Sequence, residues 1–353
     1  MRSAALVLVV VVVVVIAAGH NDVVDARAAY ATRSVADLAD LRALPGTTIR
    51  FLLNVAGDGL GRDVQVPVIV VRGAQQGPRV CLSAAMHGCV VVPDEVTGVG
   101  VLFRLVERVE PGHLHGTLII MPVLNPDGFR LRRRGNAYGK DLNRAFASPP
   151  VQASLYAQRL LEALSRLGVT HHVDLHTASK GYTNAFYARV DMRSPASTRV
   201  AFDLAPDIVV NNTGPANSFR RAATAMGIAA VTVEMGGPDR VHARLVPVAG
   251  RAVDRLLTSM GMLSPGNAPN GTAAQTYTCG SSAWVYSRHG GLVRVFPGVN
   301  TRVRQGQILA EVRDLFGAVV DRHHAEHDAV VIGKVTELPC PEACRMIHLG
   351  RLL

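Results

Sequence analysis

Aromatic residues make up only 5% of this 353-residue chain, and there is a single tryptophan, so Val, Ala and Leu must fill the core. Charged residues are also few, at 18% against 48% hydrophobic, which leaves ample material for that core. The length suits one large domain plus a small one. Cysteine is too sparse and too irregular for a framework. Of Cys81, Cys89, Cys279, Cys340 and Cys344, none forms a CxxC pair, and nothing near Cys340 and Cys344 completes a zinc knuckle. The odd count argues against a disulfide scaffold, although one bridge stays open to an exported chain. Lysine is nearly absent. The net charge of +10 comes almost wholly from scattered arginines, with one tight run at Arg130-Leu131-Arg132-Arg133-Arg134. No basic helix interleaves with aromatics, so nucleic acid is not an expected partner.

The N-terminal apolar run, Ala4–Ala18, has 15 residues, short of the ~20 that a membrane-crossing helix needs. Met-Arg-Ser precedes it and Ala17-Ala18-Gly19 closes it. Residues 1–18 are therefore expected to be a secretory signal peptide, with an uncleaved anchor or a misassigned start as alternatives. No cysteine follows, which argues against a lipoprotein anchor. The expected location is periplasmic or secreted if the signal operates, and cytoplasmic otherwise.

Residues 19–47 are polar and Ala-rich, without a chemical signal. Strand-like runs follow at residues 48–55, 64–71, 79–85 and 117–123. A helix is predicted from Asp94 to about Glu107, with Val96, Val99, Phe103 and Val106 on one face. Residues 151–167 read as an amphipathic helix, and residues 171–175, 207–210 and 229–233 as strands. Short apolar runs alternating with helices predict an α/β fold: a mixed, mostly parallel sheet covered by helices on both faces. Residues 264–275 have the composition of a linker. Beyond them, glycines punctuate short alternating strands, which predicts a small C-terminal all-β domain over residues 276–353. The catalytic domain is expected over residues 48–263.

Five segments carry chemistry. In Thr170-His171-His172-Val173-Asp174-Leu175-His176-Thr177, His176 falls where a buried strand ends, the place where open α/β sheets bind ligands. Asp174 is expected to orient neighbouring groups rather than bind a metal. In Ser83-Ala84-Ala85-Met86-His87-Gly88, a strand ends in small residues, then His, then a Gly that lets backbone approach closely. Asp94-Glu95 opens the next helix. His87, Glu95 and His176 make a two-His, one-carboxylate set that suits a catalytic zinc with one open position. Asn125-Pro126-Asp127-Gly128 is a turn by its own chemistry. Asp141-Leu142-Asn143-Arg144 suggests capture of a carboxylate by a guanidinium fork. Glu234, at the end of the apolar strand Ala230-Val231-Thr232-Val233 and before Gly236-Gly237, is a candidate general base and acid.

In this order, the segments resemble the succinylglutamate desuccinylase/aspartoacylase family of the zinc carboxypeptidase clan, over residues 48–353. Asn184-Ala185-Phe186-Tyr187-Ala188-Arg189 and the glycine-punctuated C-terminal strands with Trp284 are also similar to that family. The resemblance implies one Zn2+ per chain on His87, Glu95 and His176. It implies Glu234 as base and acid, Asn143 and Arg144 on the substrate carboxylate, and Arg134 on the oxyanion or a carboxylate. The implied reaction hydrolyses the amide of a small N-acylated amino acid or related compound. Homo-oligomerisation stays open.

The chain departs from that family at three places. Cys89-Val90-Val91-Val92-Pro93 stands between His87-Gly88 and Asp94-Glu95, which family members join directly. If the five residues loop out, the ligands converge; if they extend the strand, the ligands separate and a metal-free homologue results. Tyr182 stands near where the family carries Arg, which bears on substrate choice. Pro339-Cys340-Pro341-Glu342-Ala343-Cys344 replaces a Gly-containing turn, so an irregular last hairpin is expected. A carboxypeptidase acting on peptides is the remaining alternative.

Overall fold

Every second residue from Val64 to Val70 is buried, while Gln65, Pro67 and Ile69 stay half-covered. That two-residue period makes this segment a strand packed mainly through one face. The computed structural model describes residues 30–40, 43–88, 95–146, 152–238, 240–264 and 275–353. Contacts divide the chain into Met1–Tyr30 and Ala31–Leu353. The signal-peptide expectation, the Cys89–Pro93 insertion and most of the expected linker lie outside the described residues.

The first strands are β1 (Ala31–Arg33), β2 (Thr47–Gly57), β3 (Asp63–Arg72) and β4 (Gln75–Ala84). Helix α1 (Val96–Arg108), β5 (His115–Met121), α2 (Pro126–Leu131) and α3 (Gln152–Arg166) follow. Next come β6 (His171–His176), β7 (Tyr182–Val190), α4 (Pro195–Asp203) and β8 (Ile208–Asn211). Helix α5 (Phe219–Ala225), β9 (Ala229–Gly236) and α6 (Leu245–Ser259) complete this part. The neighbours β5, β4, β6 and β9 are all parallel, so their carboxyl ends share one edge. Helices α1, α4 and α6 cover one apolar cluster, and α3 and α5 cover another. The fold is thus the expected α/β sheet with helices on both faces.

The C-terminal strands are β10 (Tyr277–Tyr286), β11 (Gly291–Val295), β12 (Arg302–Val303) and β13 (Ile308–Arg313). They continue as β14 (Val319–His324), β15 (Ala329–Val335), β16 (Pro339–Cys340) and β17 (Arg345–Leu352). Strands β14, β13, β11 and β16 form a separate four-stranded sheet. Strand β10 pairs with β8, and β17 and β15 continue the large sheet until β15 returns to pair with Tyr182–Asn184 of β7. The ring β7–β8–β10–β17–β15 is therefore closed, and Tyr187, Val210, Cys279 and Ile332 pack together from its strands.

Several sequence expectations are corrected here. On α1 the buried residues are Thr97, Gly98, Val99, Val101, Leu102 and Leu105, and Val106 packs against the same cluster, so Val99 and Val106 fall on the expected face, whereas Phe103 is 50% exposed. Small residues explain this: a Cβ on Gly98 would come within 2.9 Å of the Leu175 Cβ, so only glycine lets the helix settle this close. Strand β5 ends at Met121, because Pro122 has no N–H to continue the ladder. Strand β7 and helices α4, α5 and α6 are absent from the sequence expectations, although α6 buries Val246, Ala249, Val253, Leu256 and Leu257 at helical spacing. Cys340 and Cys344 are joined by a disulfide, and the turn between them holds Ala343 at φ 59°, so the last hairpin is irregular as expected.

Candidate metal centre and active-site cavity

Strand β4 ends at Ala84; Ala85, left-handed at φ 52°, follows it, and the chain then presents His87. A Cβ on Gly88 would lie 2.0 Å from the Gly128 carbonyl oxygen, so no other residue fits there. The Asn-Pro-Asp-Gly segment is more than a turn. Buried Asn125 accepts from the Gly128 N–H at 3.0 Å and donates to the Met86 carbonyl at 3.3 Å, fastening α2 to the loop that carries His87. Glu95 is also left-handed, at φ 68°, and its N–H donates to Thr177 Oγ1 at 3.2 Å. Two non-glycine residues in this region mark a site where geometry outweighs backbone comfort.

His87 and His176 meet on Glu95. Their Nδ1 atoms lie 2.8 and 2.6 Å from Glu95 Oε1. One donor atom from each of the three residues lies within 4.8 Å of the others, and all three are buried. The remaining ring nitrogens are held by carboxylates: His87 Nε2 by Asp141 Oδ1 at 3.1 Å, and His176 Nε2 by Asp174 Oδ2 at 2.6 Å. With a cation bound, each Nε2 would keep its proton for its carboxylate and each Nδ1 lone pair would face the common point. This donor set fits a divalent cation with one position left open. Burial opposes charge throughout. Even so, Glu95 and Asp174 raise the His176 pKa well above its ordinary value, and the two histidines hold the Glu95 carboxyl far below the usual carboxylate range.

A second layer fixes Asp174. Ser83 Oγ donates to Asp174 Oδ1 at 2.6 Å, and the same oxygen lies 2.8 Å from His172 Nε2. The hydroxyl proton is already committed, so His172 Nε2–H must be the donor to Ser83. Burial pushes His172 down to about 4, which keeps it neutral, and its Nδ1 has no partner.

Glu234 stands directly across from His176 in the β6–β9 register. Asn184 Nδ2 donates to its Oε2 at 3.0 Å, and Arg189 Nη2 lies 3.3 Å from its Oε1. The parallel strand ends open onto a cavity of about 250 Å³. Its wall includes His87, Arg134, Asn143, Arg144, His176 and Glu234, which is every sequence-predicted site residue except Glu95, buried behind the two histidines. Arg134 Nε donates to Asp141 Oδ2 at 3.1 Å. Asn143 Oδ1 accepts from the Phe219 N–H at 2.9 Å, so this side chain also ties the loop to α5, and Arg144 Nη1 donates to the Asn143 carbonyl at 2.7 Å.

Sequence reasoning assigned no site role to several residues of this wall. Asn184 and Arg189 come from β7, Arg220 from α5, and Trp284 and Arg345 from the C-terminal strands. The signal available for Arg220 was slight, an Arg following a helix-capping Ser218. Buried Arg220 donates to the carbonyl and the side-chain oxygen of Asn212, and burial lowers it to about 10.

The family model for the succinylglutamate desuccinylase/aspartoacylase catalytic domain matches residues 76–260. The chain is 25% identical over 288 residues to N-alpha-acetyl-L-2,4-diaminobutyric acid deacetylase of Halomonas elongata, covering 77% of this chain and 81% of that protein. A succinylglutamate desuccinylase/aspartoacylase structure from Rhodobacter sphaeroides superposes with TM-score 0.75 at 20% identity, over 89% of this chain and 98% of that one. The product-bound ectoine utilization protein EutE (DoeB) of Ruegeria pomeroyi gives TM-score 0.74 at 20% identity, over 88% and 100%. These two structural likenesses are of fold. Since the matched catalytic-domain model spans more than half of the chain, this protein belongs to the succinylglutamate desuccinylase/aspartoacylase family.

Proposed function

We propose that this protein is a zinc-dependent deacylase that hydrolyses the amide bond of a small N-acylated amino acid or a related compound. One observation carries the reading: His87, Glu95 and His176 converge beside Glu234 at one edge of the sheet, on a cavity of small-molecule size. Among divalent ions, two imidazoles and one carboxylate favour zinc. The names of the Halomonas and Rhodobacter relatives support an amide of a small acylated amine.

His87, Glu95 and His176 would hold the ion, which when bound would supply Lewis acidity to a carbonyl oxygen and acidify water. The chain's own residues do the rest. Glu234 takes a proton from the attacking water and returns it to the leaving nitrogen, so one water and one amide give a carboxylic acid and an amine. Asn184 and Arg189 keep the Glu234 carboxylate aimed during both transfers. Arg134, steadied by Asp141, donates to the oxygen that gains negative charge. Asn143 and Arg144 hold the substrate carboxylate. We further propose export, on the strength of residues 1–18; the Cys340–Cys344 disulfide is compatible with an oxidising compartment.

Elemental analysis tests the metal: near one zinc per chain is expected, and loss in His176→Ala. For the base, Glu234→Gln should retain its metal while kcat falls about 10²–10⁴-fold on whichever acyl amino acid the wild type hydrolyses. Equal turnover by the variant would remove Glu234 from the mechanism.

A further inference from the structure

Leu315 and Phe316 are the most exposed large apolar side chains among the described residues, at 87% and 97%. They stand together at the tip of the β13–β14 hairpin. The tip is braced. Asp314 Oδ1 accepts from the N–H groups of Phe316 and Ala318, both at 2.9 Å. The Asp314 N–H donates to the Ala318 carbonyl at 2.9 Å, and Arg313 Nη1 donates to the Gly317 carbonyl at 3.0 Å. So held, the backbone keeps both apolar side chains in water. Behind the tip, Val319 pairs with Arg313, Arg313 with Leu292, and Leu292 with Pro339. Val319 and Leu292 are exposed as well, so the apolar surface continues across this end of the four-stranded sheet.

One row further in, Arg294 pairs with Glu311, and Glu311 with Arg322. The charges here are layered. The side chains of Glu311 and Asp321 are 7% and 1% exposed, while their partners Arg313, Arg322 and Arg288 are 42%, 52% and 66% exposed. Arg294 is exposed, lies over the Phe296 ring at 5.0 Å, and takes no part in any ion pair among the described residues. The carboxylates therefore lie underneath and the guanidiniums outside. Asp314, the remaining carboxylate at the tip, is taken up by its two backbone N–H donors. An apolar tip backed by outward guanidiniums matches an anionic bilayer, which accepts apolar side chains at the headgroup boundary and cations at its phosphates. Two copies of this chain set face to face here would bring arginines against arginines. The edge strand β14 is also partly closed to pairing, because Arg288 Nη2 donates to the Arg322 carbonyl at 3.0 Å.

We propose that the β13–β14 hairpin docks this protein onto anionic phospholipid membranes. Leu315 and Phe316 enter the interface, and Arg288, Arg294, Arg313 and Arg322 meet lipid phosphates. The inference is independent of the deacylase reading and of residues 1–18. Docking is reversible, because two apolar side chains bury too little to hold a protein on a membrane permanently.

Vesicles of phosphatidylglycerol with phosphatidylcholine, set against phosphatidylcholine alone, test it on the full chain. The wild type should co-sediment with the anionic vesicles, and its partition should fall as salt rises. The double variant Leu315→Ser/Phe316→Ser should partition at least about tenfold more weakly, the scale of burying two apolar side chains. Arg294→Gln should partition about fivefold more weakly, the scale of one arginine near an anionic surface. These side chains are exposed, so Tm should stay as in the wild type. All the chains share residues 1–18, so differences between them report on the hairpin alone. In Phe316→Trp, brominated phospholipid should quench the new indole beyond the quenching of Trp284 in the wild type. Equal partition of the wild type and the double variant, equal partition onto neutral vesicles, or no extra quenching at position 316 each overturns the proposal. A blue shift of the Phe316→Trp emission that follows protein concentration without lipid, with a doubled mass, overturns it in favour of a second copy covering the tip.

Discussion

At the scale of single residues, the metal centre depends on groups that never touch a metal. Ser83 supplies one of the donors to Asp174 and accepts from His172, and Asp174 in turn sets the tautomer of His176. Ser83→Ala leaves a buried carboxylate short of a donor and a buried imidazole N–H without a partner. Its affinity for zinc should fall about 10–100-fold, as for other outer-shell partners. Competition with a chelator measures this directly; an unchanged affinity would mean that backbone packing alone holds Asp174.

At the scale of elements, glycine decides how closely pieces approach the site. Helix α1 follows directly on Glu95, its N-cap, and touches the sheet through Gly98, where an added Cβ would press on Leu175 and Ala84. Gly98→Val should push the start of α1 away from β6, carrying Glu95 off the two histidines. Overpacking of this kind costs about 1–3 kcal/mol. We expect a lower Tm together with weaker metal binding, measured on the same preparation. A lower Tm with full metal affinity would show that Glu95 is held by Thr177 rather than by the helix. Gly88 leaves even less room, since an added Cβ would meet backbone rather than a side chain.

For the whole molecule, buried neutral histidines set the acid limit. Burial, aided by Arg189 and Arg345, pushes His348 down to about 3, and burial pushes His172 down to about 4, against 6.5 for both in an open environment. Between those values the unfolded chain binds the protons and the folded chain does not, so stability falls as pH drops from about 6.5 toward 4. Each such group adds a slope of up to about 1.4 kcal/mol per pH unit. Denaturant unfolding of His348→Gln, followed from pH 7 to pH 4, should show a shallower decline than the wild type. A parallel decline would mean that His348 is charged in the folded protein.

The sequence by itself determined the strand and helix alternation around the sheet, because periods of two and of about 3.6 residues are local properties of burial. It also determined which residue types stand where the strands end and the next helix opens: His87, His176 and Glu234 were legible because polar groups at the ends of apolar strands have few other reasons to be there, and Glu95 because it opens the helix that follows His87. Only the tertiary structure decided what surrounds them. Asp141 reaches His87 across 54 positions of chain, and Ser83 reaches Asp174 across 91 and His172 across 89, through pairings that no local pattern encodes. Phe103 was placed on the buried face of α1 for the same reason, since Gly98 has no side chain to signal that it points inward. Arg189, Arg220, Trp284 and Arg345 enter one cavity because β7, α5, β10 and β17 are brought together by long-range pairing, and long-range pairing depends on the whole chain closing its sheet at once.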